Sequence, residues 1–230
     1  MNQTRRNFNV AVGALSLAIS LGSLPANAAD DASEAAALVK EAQATLNAFK
    51  HNKNFPGLSA DVQRARGVLI FPKVLKAGFI LGGSGGTGVL MVRDEKTGRW
   101  VGPAFYTVAS AGFGLQAGVS SAQTLVLVNT QKALDSLYKS KVQVGADASA
   151  AIWKSGVGAG AAVGVDFLST SMVKGAFVGV SLDGSVIDVR ESLNTAFYGK
   201  PVTPTEIFVT HGVNNPASAN LQMSLKKGSK

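Results

Sequence analysis

The sequence predicts an α+β domain: a mainly antiparallel, strongly curved, glycine-rich β-sheet, barrel-like or folded over, with helices at its N-terminus and a few short helices elsewhere. Three observations lead there. The first is an amphipathic repeat at three- and four-residue steps over residues 30–53, stopped by Pro56-Gly57. The second is a series of short β-prone runs separated by turn residues, from "GVLIFP" (67–72) to "QTLVLVN" (123–129), resuming after one helical stretch. The third is glycine, 26 of 230 residues or about 11 % against a usual ~7 %, much of it inside the strand-like runs. Glycine inside a strand costs stability unless backbones pack closely or the strand bends, so curvature follows.

The first 28 residues stand apart from the fold. "TRRNFNV" (4–10) carries a twin arginine followed by Phe, the address of the twin-arginine export route. Behind it, "AVGALSLAISLGSL" is broken by Gly and Ser and is too weakly apolar for a spanning helix, which needs ~20 apolar residues. "ANA" (26–28) is a small-x-small cleavage site, so a mature chain beginning at Ala29 in the periplasm is expected, by this route or by the general secretory one. Loss of Arg5 and Arg6 lowers the formal charge by two, from +8 to +6, which suits an anionic partner. With no cysteine there is neither a thiol to acylate nor a disulfide, and stability rests on the core. The remaining ~202 residues suit one domain, 29–230, with a helical segment over 29–64 and a β-rich body over 65–230.

Within the domain, Ala35, Leu38, Ala42, Leu46 and Phe49 form one apolar helical stripe. Asp30, Asp31 and Glu34 near its start and Lys50, His51 and Lys53 near its end complement the helix dipole. "SADVQRAR" predicts a second short helix, and "RDEKTGRW" a hairpin with Thr97-Gly98 at its tip. "TQKALDSLYKS" predicts a helix. The strand-like runs "KVQVGADASAAI", "GVGAGAAVGVDF", "KGAFVGVSL" and "GSVIDVR" come next, followed by a helical turn at "LNTAFYG" and a closing helix at "PASANLQMSLKK".

Several letter patterns imitate active sites. Gly83–Gly88 spells G-x-G-x-x-G and Gly82–Gly86 spells G-x-S-x-G, but both chemistries need a helix directly after the glycine turn. Here "VLMV" follows, a strand leading to a hairpin, so Ser84 is read as a turn residue. The order Ser84, Asp188, His211 permits a triad on paper, and "KTG" (96–98) with "SLYK" (136–139) reverses the penicillin-binding order without an S-D-N element. Two histidines and no cysteine leave little for a transition metal, and no nucleophile–base–orienter set stands out. The expectation is a non-enzyme with no cofactor and no nucleic-acid partner.

The stretches 65–128 and 174–199, including "IFP" (70–72), "GGSGGTGVL" (82–90), "GRWVGPAF" (98–105), "GLQAG" (114–118) and "FYG" (197–199), resemble the SYLF-domain family. That family takes its name from eukaryotic SH3- and FYVE-containing proteins that bind phosphoinositides and, in yeast, actin. The resemblance implies a structural glycine stretch and lipid binding. It does not imply the eukaryotic mode of contact, because the helix that is basic in those proteins is here Ala-rich and begins acidic.

The expected function is that of an exported phospholipid-binding protein of the cell envelope, touching anionic headgroups at a membrane surface through a basic patch. The candidate residues are Lys50, Lys53, Arg64, Arg66, Lys73 and Lys76, clustered around the domain's entry. Two other readings exist: an envelope structural or protein-interaction module with only incidental lipid contact, and an outer-membrane barrel. The barrel is disfavoured, since the twin-arginine route carries folded cargo and "KKGSK" lacks a terminal aromatic. If binding is not electrostatic, an apolar pocket with Trp100, Phe105 and Phe113 is the alternative.

Overall fold

A computed structural model describes residues 28–78, 81–113, 118–139, 141–153 and 164–226. The export segment therefore lies outside the described residues, as does most of "GVGAGAAVGVDF". The element order is α1 (Ala28–His51), α2 (Leu58–Arg64), β1 (Gly67–Gly78), β2 (Leu81–Arg93), β3 (Trp100–Phe113), β4 (Gly118–Val128), α3 (Gln131–Tyr138), β5 (Lys141–Gln143), β6 (Ala150–Ile152), β7 (Phe167–Val173), β8 (Ala176–Val178), β9 (Val186–Val189), α4 (Glu191–Tyr198), α5 (Pro204–Phe208) and α6 (Ala219–Leu225).

The strands make one nine-stranded sheet in the order β5-β9-β3-β2-β1-β4-β7-β6, with β8 added to β7. All pairings are antiparallel except β6 with β7. The sheet curls into a half-barrel with open ends, so the predicted α+β class and curvature hold and the folded-over alternative to a closed barrel is the observed one.

Side chains alternate across the sheet, and both faces are covered. The cross-strand row Phe105, Val89, Ile70 and Leu125 faces α1, α2, α4 and α6, joined there by Leu46, Phe49, Leu193 and Leu221. The row Ala104, Leu90, Leu69 and Val126 faces the other way, onto Leu134 and Leu137 of α3 and Ile207 and Phe208 of α5. Two-sided burial explains why "GVLIF" and "TLVLV" read as unbroken apolar runs rather than alternating ones. All five residues of the predicted α1 stripe are buried in the first of these cores.

Two of the sequence motifs are halves of one device. Between Ile70 and Lys73 the register slips by one residue against β2, and it slips again against β4 between Phe71 and Val74. Pro72, which has no N–H to give a ladder, sits at this bulge in a central strand. Directly opposite lie Gly86 and Gly88, where an added Cβ would stand 2.4 Å from the Lys73 and Ile70 carbonyl oxygens respectively. The glycine stretch is therefore not a turn, as the sequence reading had it. It runs inside β2, and none of Gly82–Gly88 has a positive φ. Close backbone approach, not left-handed geometry, is what demands glycine here.

Candidate functional site

The export and family motifs point to no pocket, so the site is built from the charged surface. Lys50 closes the last turn of α1, and its Nζ donates to the Ser224 carbonyl of α6 at 2.7 Å. Burial holds its ammonium below the ordinary lysine pKa. Lys53 follows in the exposed loop after α1. Arg64 ends α2 and pairs with the buried Asp61, whose second oxygen accepts from the Trp153 indole at 2.8 Å. Arg66 pairs with Glu95 of the β2–β3 hairpin and donates to Gln131 at 3.1 Å. Lys73 lies on the α1 side of β1, where with Leu75, Glu34 and Glu41 it lines a groove of about 310 Å³ floored by Gly85 and Gly86. Lys76 takes the face of Val74, which belongs to the opposite core.

Lys50 and Lys53 both stand at the C-terminal end of α1, with Lys50 turned onto the Ser224 carbonyl. A sequence separation of three puts Lys73 and Lys76 on opposite faces, because a strand turns over at every residue. Lys53 gains a neighbour that the sequence did not point to. Asn52 and Asn54 donate their side-chain amides to the Gly175 carbonyl at 2.8 and 3.3 Å, which brings Lys174 beside Lys53. The available signal is "VKGA", a Lys-Gly pair between two β-prone runs, which marks a turn where the expected strand "KGAFVGVSL" begins.

The imitation active sites come apart. Ser84 Oγ bonds Ser110 Oγ at 2.7 Å within the sheet. His211 Nε2 lies 2.9 Å from the Phe208 carbonyl oxygen and 3.4 Å from Asp94, just past the far end of β2. The ten residues from Ser84 to Asp94 run along the strand, which at ~3.3 Å per residue is about 30 Å. Among the described residues no group of three or more His, Cys, Asp or Glu could hold a metal ion. Trp100 and Phe105 are packed inside the α1-side core, and Phe113 ends β3.

The remaining motif residues hold one another. Phe105 meets Phe197 edge-on at 5.3 Å, Tyr198 Oη donates to the Pro103 carbonyl at 2.7 Å, and Asn194 Oδ1 accepts from the Phe105 N–H at 2.9 Å. Burial pushes the Tyr198 phenol well up. Gly199 caps α4 with φ 71°, and Gly102, with φ 118°, leaves room for the Phe208 ring. "WVGPAF" and "FYG" are thus two sides of one packing contact, a fold signature rather than a binding signature.

A curled, helix-clad half-barrel locked by these contacts is a SYLF-type α+β domain. The chain belongs to the Ysc84 family, whose model, described as Las17-binding protein actin regulator, matches residues 109–227. Among its relatives, LAS seventeen-binding protein 3 of Saccharomyces cerevisiae is 34 % identical over 149 residues, 62 % of this chain and 32 % of the relative. Protein YSC84 of the same yeast is 32 % identical over 166 residues, 69 % of this chain and 35 % of the relative. Human SH3 domain-containing YSC84-like protein 1 is 26 % identical over 191 residues, 80 % of this chain and 54 % of the relative. The chain spans about a third of the length of the yeast relatives it matches. No solved structure matches it.

Proposed function

We propose that this protein is an exported, non-enzymatic phospholipid-binding protein of the bacterial cell envelope, contacting anionic headgroups at a membrane surface through basic side chains. What supports this reading is a net positive charge, +8 and +6 without Arg5 and Arg6, together with lysines that stand free at the surface. Lys53, Lys73 and Lys174 are exposed, in no ion pair among the described residues. Each basic side chain near an anionic bilayer contributes about 1 kcal/mol within a Debye length of ~8–10 Å, so a few together suffice for binding. Among the described residues no helix is long and apolar enough to cross a membrane. Purified protein should co-sediment with phosphatidylglycerol or cardiolipin vesicles, ignore phosphatidylcholine vesicles and be released by salt; absence from every vesicle would overturn the reading. Replacing Arg5 and Arg6 by Lys should strand precursor in the cytoplasm.

A second reading, an envelope protein-interaction module, is favoured by the relatives' names, which describe binding to a protein partner. Recovery of a stoichiometric protein complex together with no vesicle binding would establish it in place of the first.

A further inference from the structure

We infer that the loop after α1 and the β7–β8 turn together form the face that docks on an anionic phospholipid bilayer; this rests on the lipid-binding reading and gives it a location. β7 and β8 are joined by two residues, Lys174 and Gly175, with φ of 48° and 82°. A two-residue hairpin with both φ positive is a type I′ turn, for which Asn-Gly is the relaxed choice. A lysine in the left-handed region is strained, and strain of this kind gathers where a side chain is needed for something other than the fold. Lys174 is exposed and in no ion pair among the described residues. What the strain achieves is an ammonium at the tip of the hairpin.

The surroundings complete the face. The two asparagine amides on the Gly175 carbonyl fasten Lys53 beside Lys174. On the adjoining strand Phe177 and Val178 are 36 % and 37 % exposed, among the few large apolar side chains left in solvent. Phe177 is firmly based: its ring meets Phe55 at 5.8 Å, and Phe55 meets Phe49 at 4.9 Å and Trp153 at 5.7 Å. Residues 42–60, 171–179 and 219–226, which lie around this face, include no Asp or Glu. Lysines are hydrated point charges on flexible stems, suited to a diffuse anionic field, whereas a fitted carboxylate partner favours the arginine fork. Exposed apolar side chains beside lysines match the headgroup–acyl boundary of a bilayer. β8 pairs only with β7 among the described strands, so its open edge would lose hydrogen bonds in hydrocarbon and keeps the insertion shallow.

The test uses the full chain and vesicles of phosphatidylglycerol mixed with phosphatidylcholine. Lys53→Glu with Lys174→Glu should weaken binding at least tenfold at low salt, whereas Lys139→Glu with Lys200→Glu, exposed beside α3 and α5, should stay within about threefold of wild type. Lys174→Asn should raise the melting temperature, because Asn relaxes the turn, and still weaken binding about threefold; a merely structural lysine would not separate the two. In Phe177→Trp, emission should shift to the blue on vesicles and be quenched by brominated lipid, over the buried background of Trp100 and Trp153. Wild-type binding with Lys53→Glu/Lys174→Glu unaffected, or Phe177→Trp emission that stays put on vesicles, would overturn this face and leave the lipid reading intact. Failure of wild type to bind any vesicle would instead overturn the lipid reading itself. Capture by poly-glutamate without capture by vesicles would overturn the inference in favour of an acidic protein partner.

Discussion

The same four strands, β1 to β4, behave as two different materials along their length. In the inner half, Val68–Phe71, Val89–Val92, Ala104–Tyr106 and Leu125–Val128 are buried on both faces. In the outer half, past the bulge at Pro72, the ladder resumes through Leu75–Gly85–Ala109 and Ala77–Gly83–Ala111. There Leu75 is 44 % and Val119 79 % exposed, and Ala77, Gly83, Ala109 and Ala111 also face solvent. Backbone hydrogen bonding is common to both halves, so it is not what separates them. The difference lies in side-chain volume and in whether a helical layer lies on top. Stability should therefore be concentrated in the inner half, with the outer half opening locally at lower cost.

The largest test of that division is Phe105→Ala. Its ring is fully buried, packs on Phe197 and lies in the row with Val89, Ile70 and Leu125. A loss of about 3–5 kcal/mol is expected by chemical denaturation. An outer-half truncation, Val119→Ala, should cost under ~0.5 kcal/mol, as surface changes usually do. Similar costs for the two would end the division.

A second test sits at the border between the halves. Gly86→Ala drives a Cβ to 2.4 Å from the Lys73 carbonyl oxygen, against rigid backbone, and should cost about 1–3 kcal/mol. Gly85→Ala, one residue away, meets nothing nearer than the Val108 carbonyl oxygen at 3.6 Å and should be close to neutral. Equal effects would mean that the bulge at Pro72 relaxes freely. The pair also separates close approach from left-handed geometry, since neither glycine has a positive φ.

A third test uses pH. Asp166 lies at the inner end of the sheet, where it accepts from the hydroxyl of Thr130, the N-cap of α3, and from Ser149 N at 2.9 Å and Oγ at 3.0 Å, with Lys132 Nζ at 3.5 Å. Burial works to raise its pKa, but the Thr130 and Ser149 hydrogen bonds and Lys132 together hold it below the ordinary carboxylate value of 3.8. A depressed folded-state pKa contributes stability that is present above the unfolded value and is lost as pH falls through the folded one. The α3 end should therefore lose amide protection below about pH 4. Asp166→Asn should remove that acid dependence and cost about 1–3 kcal/mol at neutral pH. A pH response unchanged in the variant would assign it to other carboxylates.

These contrasts also show what was legible beforehand. The α1 stripe, the Thr97-Gly98 hairpin tip, α3 and the apolar strands follow from local periodicity, and all are found. The short helix α5 went unread, although Thr203 and Glu206 form a capping box around Pro204 there. Five residues give no helical period, so only the cap carried its signal. "KVQVGADASAAI" resolves into two three-residue strands separated by a turn, because its edge position and partners are set by β9 and β7, far away in sequence. The basic candidates were legible as residue types but not as a surface. Strand alternation parts Lys73 from Lys76, while the Asn52 and Asn54 bonds to Gly175 bring in Lys174 from more than a hundred residues away. Long-range hydrogen bonds leave no periodic trace.

The smallest expected effect belongs to Ser84→Ala, in the outer half. Ser84 lies in β2 opposite Lys76 and Ser110, on the face that also carries Ser120 of β4. Its hydroxyl is half-buried, and its partner at 2.7 Å is the Ser110 hydroxyl, itself half-buried and within reach of water. Removing one hydroxyl from such a pair leaves the other free to bond solvent, so the penalty for a stranded buried donor does not arise. A change within ~0.5 kcal/mol is expected. No helix begins after the glycines to aim a dipole at this oxygen, and the only histidine beyond α1, His211, is bound to the Phe208 carbonyl about 30 Å along the strand. Wild-type protein should therefore resist labelling by a fluorophosphonate, and Ser84→Ala should bind vesicles as wild type does. Labelling at Ser84 would give the outer half a chemistry of its own and replace the division drawn here, between a packed inner sheet and an open outer one, with a division between scaffold and active site.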